Sequence, residues 1–435
     1  MGMLKVKVVS SSLVKPEAET GNQKSSIWLP TLDLFQVRKH LPTIYFYQPN
    51  GDHGFFSPET LRRALSKALV PFYPLAGRLC YSGEGGRLEL KCSGDGVLFV
   101  QAESGLAMDE LGGFGPSPEK RKLLIPTVIS AAGDGDVTDI PLVLLQVTTF
   151  KCGGVCLGVG IHHTVSDGAS SLHFINTWSD IARGLDIAIP PLLDRSLVRA
   201  RSPPSVEFDH PEFKPNPPPS PNTVEKPVTV AVLELSSSNL NKIKSYCNMK
   251  LKYTTYEIVA AHVWHCACKA RCLATNATTR AFITVDGRTR LRPPLPPGYI
   301  GNVIFPAVVT AISGEVVSEN LEAVAARFHN TISRLDDKHL RSAIDWLELQ
   351  EDVTKIGRWV GEFPRTDLSI TSWTRLPLYG ADFGWGPPVY MGPAMLLYAG
   401  LCYIMPPANK ADGIMVAVSL EEEYMEDFKK LFFDF

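Results

Sequence analysis

Apolar and polar positions alternate along the chain with two distinct periods. Leu61, Ala64, Leu65, Ala68 and Leu69 recur at the helical spacing. Just before them, Ser57-Pro58-Glu59 supplies a capping hydroxyl, a proline for the first turn and an early acid, so a helix is predicted to open there. Val155, Leu157, Val159 and Ile161 alternate with Cys156, Gly158 and Gly160, which predicts a strand with one bulky and one bare face. A helix is expected from Gly168 to Arg183, stopped at Gly184. In the second half, Thr255–Ala270, 318–334 and 339–350 read as helices, 281–286 and 302–311 as strands, and a helix follows Ser419. Helices and strands intermingle in both halves, so mixed α/β layers are expected.

The segment 201–223, RSPPSVEFDHPEFKPNPPPSPNT, interrupts these patterns. Proline fixes φ and removes backbone donors, so this run cannot form a helix or a central strand. It divides the chain into an N-terminal domain over 1–200, a crossover linker over 201–226 and a C-terminal domain over 227–435.

Composition narrows the classes. The 435 residues are 45% apolar and 20% charged, with a net charge of −2. A chain of this size can bury sizeable cores without staples. Its charge gives no global footprint for nucleic acid or a membrane surface. No apolar stretch of about 18 residues exists to span a bilayer. The start, MGMLKVKVVSS, has no signal-peptide pattern, and Gly2 lacks the Ser or Thr at position 6 of a myristoylation motif, where Val6 stands. The nine cysteines are scattered. Cys152 and Cys156, and Cys266 and Cys268 after His265, lack a second half with finger-like spacing, so no metal is expected. Reduced thiols, a cytoplasmic location and a monomer are the expectation.

The sharpest chemical signal is His162-His163-Thr164-Val165-Ser166-Asp167-Gly168, where a strand ends and a helix begins. A neutral imidazole can take a proton from an alcohol at pH 7 and return it to a leaving group. No G-x-S-x-G nucleophile motif is present, so direct transfer fits better than a covalent enzyme intermediate. Spacing alone leaves alternatives. Asp167 reads equally as a helix cap. His162 reads as a packing residue, and His163 as either a base or a packing residue.

HHTVSDG resembles the H-x-x-x-D-G signature of the plant BAHD acyltransferases, and Asp382-Phe383-Gly384-Trp385-Gly386 matches their second signature, DFGWG. The order and separation of the two also match. ALVPFYPLAGRL (68–79), FKCGGVCLGVG (150–160), LHFINTWSDIARGLD (172–186), LRPPLPPGYIGNVIF (291–305) and ITSWTRLPLYGADFGWG (370–386) are similar to the branch that moves hydroxycinnamoyl groups from coenzyme A to shikimate. Condensation domains share the histidine motif, but they belong to multidomain chains and lack DFGWG at this place.

The resemblance implies two similar chloramphenicol-acetyltransferase-like α/β domains with a channel between them. It implies transfer of a p-coumaroyl or caffeoyl group from coenzyme A, a substrate rather than a cofactor, to shikimate. Quinate, another hydroxyl or an amine is the alternative acceptor. His163 takes the position of the general base. Asp167 takes a structural position, with Arg288 as its expected partner, and Asp382, Gly384 and Trp385 are structural. Thr371, Ser372, Trp373 and Thr374 match the segment that steadies the oxyanion and the acyl-CoA. For Trp373, core packing is the alternative. Arg358 matches the residue that holds the acceptor carboxylate, with Arg365 as a nearby alternative. Thr254, Thr255, Arg288, Arg290 and Arg292 match segments near coenzyme A, and Tyr45 one near the acyl tail. The chain departs from the usual pattern at Leu41, around Arg358, at Ala394-Met395-Leu396 and at Pro387. Bulk at 394–396 is expected to shift donor preference if that segment lines the acyl pocket.

Overall fold

The computed structural model describes residues 5–18, 25–83, 86–128, 136–215, 226–247, 253–357, 363–407 and 412–434. The chain forms two compact units. The first holds Met1–Arg199, Leu295–Val303 and Leu376–Met395; the second holds Ala200–Pro294, Ile304–Arg375 and Leu396–Phe435. The two short segments that return to the first unit lie outside the division drawn from the proline-rich run. Each unit is built on a six-stranded mixed sheet with helices, so the mixed α/β class holds.

In the first unit the strand Val155–His162 lies inside the sheet, antiparallel to Val143–Phe150 on one side and to His40–Tyr47 on the other. Its bare face has a specific cause. A Cβ on Gly158 would stand 1.8 Å from the Leu124 carbonyl oxygen, so glycine is needed where the end of the helix Pro118–Leu124 crosses the strand. The helix Gly168–Ala182 packs on Pro58–Ala68, which opens at Ser57 as its cap predicts. Trp178, fully buried between them, donates its indole N–H to the Leu61 carbonyl at 3.0 Å. The returning strand Tyr390–Pro393 pairs with His40–Tyr47 and brings the second signature into this unit.

In the second unit Thr278–Asp286 pairs antiparallel with Ile304–Ile312 and parallel with Leu368–Ser372, and the latter pairs parallel with Leu401–Met405. The helix Thr255–Ala270 is buried along most of its length, between Leu321–Ser333 and Glu422–Phe433. Two internal ion pairs tie its surroundings: Arg271 with Glu421 at 3.0 Å, and Arg280 with Asp367 at 2.6 Å. Such pairs are worth little net stability but are costly to break singly.

The first part of the proline-rich run, 201–215, is an ordered strap rather than a free linker. Arg201 and Ser205 bond to Asp345, and the backbone N–H groups of Glu207 and Phe208 reach Ser342, both acceptors on the helix Asp337–Glu348. The proline-dense stretch 216–225 lies outside the described residues.

Candidate active site

His163 follows the last residue of its strand, and both of its backbone groups are tied. Its N–H donates to the Lys39 carbonyl at 3.0 Å, and its carbonyl accepts from Asn302 Nδ2 at 2.8 Å. Asn302 is itself fixed, because its backbone N–H and its side-chain amide both donate to Asp33 Oδ1 at 2.8 Å. The other Asp33 oxygen is paired with Arg195, whose Nη2 donates to the Val165 carbonyl at 2.7 Å. Asp33, Arg195 and Asn302 are all buried. Burial pushes the Asp33 carboxyl up, against the pull of Arg195 and the donors of Asn302. The network grips the histidine loop at residues 163 and 165. Sequence reasoning missed it. The available signal was a single acid in the apolar run TLDLF, which must find partners when buried.

Asp167 caps the next helix: its Oδ1 accepts from Ser170 N at 3.0 Å, and its Oδ2 accepts from Val303 N at 3.1 Å. Ser170 Oγ also donates to the Gly301 carbonyl at 3.0 Å. The helix start is thus stitched to the returning segment Leu295–Val303. Arg195 also feels the Asp167 charge. Arg288, the partner expected for Asp167, belongs to the second unit, where its backbone N–H donates to Asp286 Oδ1 at 2.9 Å.

The two adjacent histidines differ. His162 is completely buried, its ring is edge-on to His40 at 5.3 Å, and neither of its nitrogens has a partner among the described residues. Burial, then the neighbouring His40, His163 and Arg38, hold it well below the usual histidine range. His162 is therefore neutral and packed.

The second signature is a turn inside the first unit. Asp382 Oδ1 accepts from Gly384 N at 2.8 Å and Gly386 N at 3.0 Å, and both glycines have φ near +100° (+100° and +105°), where a side chain would be strained. Trp385 Nε1–H donates to Asp52 Oδ2 at 3.0 Å, and Phe383 meets Trp178 edge-on at 4.7 Å. Tyr47 donates to the Ala381 carbonyl at 2.8 Å. Tyr45 is buried in the same sheet, in register with Leu157 and Met391, and burial raises its hydroxyl.

In the second unit the segment 371–374 stands at the end of Leu368–Ser372. Thr371, Ser372, Trp373 and Thr374 are all half-buried. Its backbone N–H donates to the Ile404 carbonyl at 2.8 Å and its ring lies 4.7 Å from Tyr403. Ser372 Oγ and Thr374 Oγ1 bond each other at 2.9 Å. Thr254 caps the helix Thr255–Ala270 through a reciprocal pair with Glu257.

The basic stretch 288–292 has local duties. Arg290 Nη1 donates to the Ile332 and Leu335 carbonyls at 3.1 and 2.8 Å, closing the end of the helix Leu321–Ser333. Arg292 Nη1 donates to the Thr289 carbonyl at 2.7 Å. Arg358 lies outside the described residues. Arg365 is half-buried and helps hold the Glu423 carboxyl down, although Lys226 does most of that. Ala394 is locked by backbone bonds to Pro42 and Ser117.

The mixed α/β fold of two units, each built on a six-stranded sheet, is shared with solved structures. The crystal structure of vinorine synthase matches it with a TM-score of 0.77 at 22% identity, covering 97% of this chain and 96% of that one. The model of the Transferase family matches residues 4–434, and the chain belongs to that family, the BAHD transferases. A shikimate O-hydroxycinnamoyltransferase of Nicotiana tabacum is 46% identical over 442 residues, 99% of this chain and 100% of the relative. A hydroxycinnamoyl-CoA:5-hydroxyanthranilate N-hydroxycinnamoyltransferase of Avena sativa is 43% identical over 450 residues, covering 99% of each. Among the described residues, no helix is long and apolar enough to cross a membrane.

Proposed function

We propose that the protein transfers a hydroxycinnamoyl group from coenzyme A to a hydroxyl of shikimate, with His163 as the general base. The observation that carries this reading is the grip on His163: two fixed backbone bonds at a strand end present its imidazole from a rigid frame. His163 takes the proton of the acceptor hydroxyl as its oxygen attacks the thioester carbonyl. The tetrahedral oxyanion collapses, the C–S bond breaks, and the proton passes to the departing thiolate. An ester and free coenzyme A leave. Thr371 and the Trp373 indole N–H steady the oxyanion, a role that suits a donor-only group. Asp167 holds the loop through Ser170 N and Val303 N. Arg358 receives the acceptor carboxylate in a bidentate pair. Thr254, Thr255, Ser372, Thr374 and the arginines at 288, 290 and 292 bind coenzyme A, and Tyr45 lines the acyl tail.

The near-equal similarity to an N-transferring relative supports a second reading with the same chemistry and an amine acceptor. Incubation with p-coumaroyl-CoA and, separately, shikimate, quinate and 5-hydroxyanthranilate decides between them. A shikimate ester as the main product is expected. An amide as the main product moves the assignment to the amine. Release of coenzyme A with neither shikimate nor quinate, from folded protein, removes the acceptor assignment.

A further inference from the structure

The strap that enters the second unit carries a cluster that acyl transfer does not use. Two fastenings hold the strap to the helix Asp337–Glu348: Asp345, which accepts from Arg201 and Ser205, and Ser342, which accepts from Glu207 N at 2.9 Å and Phe208 N at 3.2 Å. Phe213 stacks on Trp346 with ring centres 5.2 Å apart. Among these contacts sit His210, Glu212 and His339. His210 Nδ1 is 2.9 Å from Glu212 Oε1, His210 Nε2 is 2.9 Å from Ser342 Oγ, and His339 Nε2 is 3.8 Å from the same Glu212 oxygen. Donor atoms of the three residues lie within 4.8 Å of one another. His210 is 1% exposed and Glu212 5%.

We propose that His210, Glu212 and His339 form a site for a divalent transition metal, best suited to zinc, that pins the strap to this helix. Two imidazoles and one carboxylate are a zinc donor set, whereas magnesium and calcium want mostly oxygen. Ligand atoms around a tetrahedral zinc stand about 3.3 Å apart, given bonds of about 2.0–2.1 Å. The contacts of 2.9 and 3.8 Å straddle that spacing. The first is a hydrogen bond, so a proton now occupies part of the place a metal would take, and it must leave Nδ1 for the metal to bind. The second, at 3.8 Å, is longer than a normal hydrogen bond and places His339 Nε2 beside the same carboxylate oxygen. His210 Nε2 faces Ser342 Oγ, whose hydroxyl donates to it because both its lone pairs accept from Glu207 and Phe208; with Nδ1 on the metal the ring proton moves to Nε2, and Ser342 becomes the outer partner that metal-binding histidines commonly have. Two ligands are buried, while the His339 side chain is 16% exposed, giving an entry route from solvent. The sequence spacing gave no metal motif because His339 comes from a helix far along the chain from the His210-Pro211-Glu212 strap.

The test uses the full chain, stripped with chelator and kept reduced. Zn2+ is titrated by calorimetry, and Co2+ is followed by visible absorption. One equivalent is expected to bind, with the visible bands of four-coordinate cobalt and no sulfur-to-cobalt absorption. His339→Ala is expected to bind at least about tenfold more weakly, and His53→Ala, at an exposed histidine in the other unit, as the wild type. In wild-type protein, Zn2+ is also expected to slow modification of His339 by diethylpyrocarbonate, read by peptide mass spectrometry, which needs no variant to fold. Absence of saturable binding, unchanged binding by folded His339→Ala, cobalt held through sulfur, or His339 left unprotected by zinc each overturns the proposal.

Discussion

The side-chain amide of Asn302 donates to the carbonyl of His163 at 2.8 Å while both of its N–H groups on the Asp33 side are held by one carboxylate oxygen. The position of the proposed base therefore depends on a carboxylate and a guanidinium that need not touch substrate. Asn302→Ala removes the 2.8 Å donor to the His163 carbonyl, which keeps a longer bond from Ser166 N at 3.4 Å, and one donor to the buried Asp33 carboxylate; a loss of about 1–3 kcal/mol in unfolding free energy is expected, with a fall in kcat larger than any rise in KM. Asp33→Ala strands the Arg195 charge and is expected to cost about 3–5 kcal/mol, visible as loss of soluble yield. Urea denaturation with steady-state kinetics on the same preparations checks both. An Asn302→Ala enzyme with wild-type stability and rate would show that the loop holds itself.

The DFGWG turn is expected to affect stability and leave chemistry alone. Trp385→Phe keeps an aromatic ring beside Phe56, 5.2 Å away in the native turn, and loses the bond to Asp52 with part of the indole's packing surface. A loss of about 0.5–1.5 kcal/mol is expected, with kcat/KM per folded molecule unchanged. Asp382→Ala removes the acceptor for two backbone N–H groups and should lower the melting temperature further. Lost turnover at an unchanged melting temperature would place Asp382 in the chemistry instead.

Two histidines, His162 buried and His40 half-buried, set a pH limit. Burial lowers His40 from 6.5 to about 4, against the Pro141 carbonyl that favours its charged form. Above pH 6.5 both folded and unfolded chains carry it neutral, so it contributes nothing. As pH falls from 6.5 toward 4 the unfolded chain takes up the proton first, and stability declines. The full difference is about 3 kcal/mol at 1.36 kcal/mol for each pH unit. His162, lowered in the same direction, adds to it. Denaturation midpoints at pH 8, 6 and 5 should fall steadily below 6.5, and His40→Gln should flatten the fall. A flat wild-type profile would contradict the burial of these rings as neutral groups.

In the proposed reaction Arg358 is the expected holder of the acceptor carboxylate, and Arg365 is the alternative. Arg358→Ala is expected to raise KM for shikimate by about tenfold or more, the loss of a charge-assisted pair worth about 1.5–3 kcal/mol, with little change in KM for p-coumaroyl-CoA. Arg365→Ala should leave both unchanged, because its charge acts near Glu423. The reverse pattern transfers the role to Arg365.

Local signals were legible in the sequence and distant ones were not. The cap at Ser57, the helix Thr255–Ala270 and the strand before His162 follow from neighbouring residues, and the structure places them there. The bare face at Gly158 was visible as a pattern, but its cause, the Leu124 carbonyl, comes from another element. The frame around His163 draws Asp33, Arg195 and Asn302 from three separated segments, and no spacing rule joins them. The RTRLR stretch shows the opposite difficulty. Its charges read as a coenzyme A contact, yet Arg290 and Arg292 also close local carbonyls that the sequence does not reveal as needy.

The central claim is that His163 is the base for ester formation on shikimate. It is tested most directly by the rate of p-coumaroyl shikimate formation for wild type and His163→Ala at equal folded concentration. The account predicts a fall in kcat/KM of about two to four orders of magnitude with an unchanged melting temperature. A His163→Ala enzyme that turns over at a near-normal rate would contradict it.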